Sequence, residues 1–278
     1  MTATVVILVL GAALLHATWN ALLRSGADRF QSMVVMSAVS ASVALPLVWL
    51  LPPPASLSWP YIGLSGALQI SYWLFLVRAY RDGDLGQVYP IARGSSPMMV
   101  TVGAAIFAGE RLAPVAYAGV VMVSAGIIAM AFGRHRPDSK SMLAALATGL
   151  FIAGYTVSDG IGSRLSGHPQ SYAAWLFLVQ GVPMYFIYIM MRGRLAIAPF
   201  DRETLKAAGS GVLSMLGYGI VIWALARSPM GQVSALRETS ILFAVVMGRI
   251  FLGEKLTVGR IVAGATIAVG AIVLSMGH

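Results

Sequence analysis

Apolar residues along this chain fall into blocks of roughly 20, long enough for an α-helix to cross a hydrocarbon core of about 30 Å. Each block is predominantly apolar, and Gly, Pro and charged residues mark its ends. The blocks cover about 2–23, 30–51, 59–80, 86–108, 113–132, 141–163, 170–191, 204–226, 230–252 and 257–276, which predicts ten transmembrane helices. Only a few residues separate one block from the next, so the pattern leaves no room for a soluble domain. The first block follows Met1-Thr2-Ala3-Thr4, with no cationic region before it, and is longer than the core of a signal peptide. It is expected to stay in the mature protein.

Composition agrees with the pattern. Of 278 residues, 58% are hydrophobic and 10% charged, and the mean hydropathy is +0.80. A soluble domain carries about 25% charged residues. The net charge of +9 would suggest nucleic acid for a soluble protein, but here the positive residues sit at helix ends. They are read as topology signals and lipid headgroup contacts, with no nucleic-acid partner. Alternate loops hold Arg24, Arg29, Arg78, Arg81, Arg134, Arg136, Lys140, Arg192, Arg194, Arg202, Lys206, Lys255 and Arg260, whereas the other loops hold only Arg111, Arg164 and Arg227. This bias predicts a cytoplasmic charge-rich face, a charge-poor outer face carrying both termini, and a multi-pass protein of a bacterial inner (plasma) membrane. The absence of cysteine excludes disulfides, thiolate nucleophiles and thiolate metal sites. No cofactor or metal is expected.

A repeat organises the helices. Gly86-Gln87-Val88 recurs as Gly231-Gln232-Val233; after a one-residue slip Arg93 falls opposite Arg237, and Gly109-Glu110-Arg111-Leu112 opposite Gly253-Glu254-Lys255-Leu256. Gly126 and Gly133 match Gly270 and Gly277, Gly66 matches Gly211, and Thr18 faces Thr156. The halves are therefore taken as residues 1–133 and 141–278. Five helices is an odd number, so the second half enters the membrane in the opposite sense. Inverted repeats with interrupted helices are an architecture of secondary transporters, with the substrate site near the midplane. Ten helices as five plus five, the paired Gly-Glu-Arg/Lys-Leu turns and the Gly-Gln-Val openings resemble the EamA branch of the drug/metabolite transporter superfamily. That resemblance implies a carrier of amino acids and related metabolites, nucleotide sugars, triose phosphates or drugs.

A charge at the centre of a membrane helix costs on the order of 2.5–3.5 kcal/mol on insertion scales, so each one needs a reason. With loops and helix ends set aside these are Arg93, Arg237, Glu238 and Asp159, with His16 as a further titratable group. Tyr89, Arg93 and Ser96 share one face of helix four. Pro90 and Pro97 each remove a backbone N–H there, and with Gly94 they are expected to loosen the helix as a hinge. Arg93 either contacts substrate or pairs with Glu238 or Asp159, and the alternative ion pair across the pseudo-twofold axis is Arg237 with Asp159. Helix one brings Trp19 and Asn20, helix three Tyr72 and Trp73, helix six Tyr155 and helix eight Tyr218 as candidate pocket walls, and Arg237 and Glu238 join Tyr89, Arg93 and Ser96 as candidate substrate contacts. His16, Asp159 and Glu238 are the candidates for proton coupling.

No P-loop or soluble domain exists to hydrolyse ATP, and the acids inside the spans are not paired in sequence as an enzyme would need. The expectation is a secondary transporter, not an enzyme, working by alternating access as a monomer. Two cations and two acids suit a zwitterion better than a phosphate, which points with the resemblance to export of neutral or aromatic amino acids. The alternatives are a broad metabolite or drug efflux carrier and a facilitative, channel-like permease.

Overall fold

A computed structural model describes residues 1–24, 28–82, 85–131, 139–195, 198, 200–253 and 257–276. It is all-helical over these residues: α1 (Ala3–Arg24), α2 (Arg29–Leu50), α3 (Trp59–Asp82), α4 (Leu85–Ala108), α5 (Pro114–Ala129), α6 (Ser139–Leu165), α7 (Pro169–Arg192), α8 (Arg202–Leu225), α9 (Met230–Arg237), α10 (Ser240–Leu252) and α11 (Val258–Met276), with a single 3-10 turn at Ser56–Ser58. Local chemistry sets several boundaries. Asp28 caps α2, its carboxylate accepting from the Gln31 N–H at 3.0 Å, and Asp201 caps α8 through the Glu203 N–H at 3.3 Å. Pro114 and Pro169 open α5 and α7, where a missing N–H costs nothing. Among the described residues, seven helices are long and apolar enough to cross a membrane. Large apolar side chains such as Trp49, Phe107 and Met190 are left exposed on the outside, as a lipid-facing surface requires.

The block 230–252, expected as one helix, is two. α9 ends at Arg237 and α10 starts at Ser240, joined by a tight turn in which Glu238 and Thr239 stay close to helical geometry but bond at i→i+3, Thr239 N–H to Leu236 at 3.2 Å and Leu242 N–H to Thr239 at 2.8 Å. Block four, expected to loosen at its prolines, is the unbroken helix α4.

Packing follows the repeat. α1 lies on α8 as α3 lies on α6; α2 pairs with α7, and α5 with α11. α4 packs on α6 as α9 and α10 pack on α1. Exchanging the halves maps each of these pairs onto itself or its mate, the arrangement of two inverted five-helix repeats. The mapping holds at atomic level between α5 and α11. A Cβ on Gly126 would sit 2.7 Å from Ile267 Cγ1, and one on Gly270 2.9 Å from Val123 Cγ2, so small residues let the backbones close. It holds again at Gly109 (φ +66°) and Gly253 (φ +65°), both in the left-handed region at the end of α4 and α10. Residues 254–256 of the second Gly-Glu-Lys-Leu turn lie outside the described residues.

Candidate functional site

Three helices, α4, α6 and α9, deliver charge to the centre. α4 carries Arg93, and the α9–α10 turn carries Arg237 and Glu238; all three are buried, at 3%, 3% and 0% exposure. Arg93 Nε lies 2.5 Å from Glu238 Oε2, but its N–H does not align on that oxygen, so the contact is ionic. Arg93 also donates from Nη2 to Ser240 Oγ at 3.2 Å and lies 5.7 Å from the Tyr89 ring centre. Arg237 donates from Nη2 to the other oxygen, Glu238 Oε1, at 3.3 Å, and its Nε has no hydrogen-bond partner among the described residues. One carboxylate thus serves two guanidiniums. Of the two anions open to Arg93 in sequence, the fold supplies Glu238. The expected Arg237–Asp159 pair does not form as a direct contact.

Asp159, on α6, is fully buried and accepts from two phenols: Tyr172 Oη of α7 at 3.0 Å and Tyr218 Oη of α8. No ion pair to Asp159 occurs among the described residues. Tyr155 has its ring edge-on to Tyr72 at 6.1 Å and to Tyr218 at 6.2 Å, and Phe177 extends the aromatic row to Tyr218 at 6.5 Å. The charges of the site therefore form a dipole: an Arg–Glu–Arg cluster with one positive charge in excess and a separate carboxylate, Asp159, bonded to the aromatic row through Tyr218.

The other sequence candidates divide. His16 faces the arginines from α1, with Trp19 edge-on to it at 4.8 Å, and its Nε2 is buried with no partner among the described residues. Asn20 donates to the His16 carbonyl at 2.9 Å and Ser96 to the Arg93 carbonyl at 3.2 Å, so both serve their own helices. Trp73 lines a pocket with room for about one water molecule, together with Ser37, Gln69, Ile70, Gln180 and Met184. Gly94 lies hard against α5: a Cβ there would be 2.6 Å from Ile128 Cγ1 and 3.0 Å from the Ser124 carbonyl oxygen. Close packing is thus a reason for that glycine which the reading as a hinge does not contain. Sequence reasoning missed Tyr172. Hairpin arithmetic could have found it, because Asp159 lies six residues before the end of α6 and Tyr172 three after the start of α7, about 9 and 4.5 Å deep, a difference that a tyrosine side chain can span.

The pattern of the EamA-like transporter family matches the chain twice, over residues 3–132 and 139–276. The chain belongs to the EamA-like transporter family. Its relatives include a Sinorhizobium protein described as "Uncharacterized transporter in cobO 3'region", 29% identical over 106 residues, which is 38% of this chain and 74% of that one. A solved crystal structure superposes with a TM-score of 0.79, covering 99% of this chain and 98% of its own at 20% identity, a likeness of fold. As an EamA-family protein the chain is a multi-pass membrane transporter of small molecules. The family match implies a transporter in place of an enzyme.

Proposed function

We propose that this EamA-family transporter exports amino acids, with neutral and aromatic ones preferred, by alternating access between its inverted halves. The observation that carries the reading is the dipole between Arg237 and Asp159. Arg237 has an unpartnered donor beside a cluster with excess positive charge, and Asp159 is held only by hydroxyl groups. A zwitterion fits both ends, its carboxylate on Arg237 and its ammonium on Asp159. Tyr72, Tyr155, Tyr218 and Phe177 provide a wall for an apolar or aromatic side chain. A phosphate ester would meet Asp159 as a like charge.

Motion fits the same layout. α4 packs on both α6 and α9, so tilting one half against the other changes the spacing of Arg93, Glu238 and Asp159. The turn at 238–239 gives the second half a joint, and Pro90, Gly94 and Pro97 are its counterparts in α4. Of the three candidates for proton coupling, Asp159 suits the role best, because Glu238 is committed to two guanidiniums and His16 faces both of them. The proposed orientation has the charge-rich face in the cytoplasm of a bacterial inner membrane, and the working unit is a monomer.

The test is saturable counterflow of radiolabelled neutral and aromatic amino acids in proteoliposomes. Arg237→Gln and Asp159→Asn should each abolish it while the purified protein stays monodisperse. Transport of hydrophobic cations that is indifferent to both substitutions would favour a broad drug efflux carrier.

A further inference from the structure

Away from the centre, at the charge-poor face, Glu110 binds two elements at once. Its Oε1 lies 2.5 Å from Arg164 Nη2 at the end of α6, and its Oε2 accepts from the Met230 N–H, at the start of α9, at 2.8 Å. Arg164 in turn donates from Nε to the Leu225 carbonyl at 3.0 Å and from Nη2 to the Ser228 carbonyl at 2.9 Å, at and just beyond the end of α8. Each contact answers a need of the backbone. A helix start has orphan N–H groups and positive potential, which a carboxylate satisfies; a helix end has orphan carbonyls, which a guanidinium satisfies. Gly109 allows the chain to turn there, and the Glu110 N–H closes the turn on the Ala104 carbonyl at 3.1 Å.

From this geometry we infer that Glu110 and Arg164 form the clasp that shuts the charge-poor face of the transporter. Every element gathered at the clasp also bears a site residue. Asp159 is five residues before Arg164, Tyr218 seven before Leu225, and Arg237 seven after Met230, separations of about 7–10 Å along a helix. The clasp joins the α4–α5 turn of the first half to three helices of the second, α6, α8 and α9, so the path from this face to the site cannot widen while it holds. Side chains in the clasp are only 12% exposed for Glu110 and 32% for Arg164, and Ser234, one helical turn below Met230, is 1% exposed. The clasp rests on no assumption about substrate.

The experiment uses the absence of cysteine in the chain. A single thiol is introduced as Ser234→Cys, and a membrane-impermeant maleimide is applied to the full-length protein in sealed vesicles of either orientation. With the clasp intact, labelling from the charge-poor face is slow. Glu110→Gln should raise the rate from that face roughly tenfold or more, the loss of a hydrogen bond to a charged group, and leave the rate from the charge-rich face unchanged. Arg164→Lys keeps the charge but loses the two carbonyl contacts and should give a smaller rise from the same face; it serves where Glu110→Gln does not fold. Unchanged labelling in both variants, or an equal rise from both faces, overturns the inference. Amino-acid counterflow measured on the same proteins distinguishes its failure from that of the substrate reading, because labelling needs no substrate.

Discussion

Residues 93–97 and 237–241 hold the same place in the two halves and read Arg-Gly-Ser-Ser-Pro and Arg-Glu-Thr-Ser-Ile. The first segment contains a proline and a glycine and stays helical; the second contains neither and is where the helix divides. Hydroxyl groups account for the first result. Pro97 cannot donate to the Arg93 carbonyl, but Ser96 Oγ does so at 3.2 Å, while Ser95 and Thr101 support the Ala92 and Pro97 carbonyls at 3.2 and 2.8 Å. In the second half Thr239 Oγ1 reaches back to the Leu236 carbonyl at 2.7 Å, which helps to close the tighter turn. Position 94 explains the asymmetry of charge. Its counterpart Glu238 holds both arginines, whereas a side chain at 94 would strike α5. Two equivalent sites thus divide the work, one supplying a close backbone contact and the other the anion.

The largest way to break this division is Glu238→Gln, which leaves two buried guanidiniums without a carboxylate. It should cost about 3–5 kcal/mol and lower the thermal midpoint in detergent, or prevent recovery of monodisperse protein. Wild-type stability in that variant would show that the arginines do not depend on Glu238. Next comes Gly94→Ala, expected to cost up to about 3 kcal/mol because one of the obstructing atoms is backbone oxygen. A neutral result there means that α4 and α5 are further apart than described.

Ser96→Ala should cost about 1–2 kcal/mol by leaving the Arg93 carbonyl bare, and adding Pro97→Ala should restore much of the loss by returning a backbone donor. Additive losses in that pair would remove the hydroxyl explanation of why α4 stays whole. The smallest effects are at the repeated turns. Gly109→Ala and Gly253→Ala should each cost about 1 kcal/mol from strain at positive φ, with unfolding midpoints shifted by similar amounts. A much larger shift at Gly109 would point to loss of Glu110 from its place.

The repeat was legible in sequence because identical residues recur at fixed spacing, and a burial cost argument was enough to single out Arg93, Arg237, Glu238 and Asp159. What that argument could not assign was partners. Glu238 stands next to Arg237 in sequence and Asp159 next to no cation, but only the fold decides that the first carboxylate meets a second guanidinium and that the other meets two phenols. The division of span nine was hidden because no proline or glycine marks it. Glu110 and Arg164 passed as loop charges, since position near a membrane surface is an adequate reason for either one alone; their joint role needs four chain segments to meet.

The contact between α5 and α11 asks nothing of one half that it does not ask of the other. Gly126 with Ile267 and Gly270 with Val123 are the same contact seen from opposite ends. A chain of half this length, meeting a copy of itself inserted upside down, would make both contacts from one set of residues. Covalent linkage then frees the two copies to diverge, as the replacement of glycine at position 94 by glutamate at 238 illustrates.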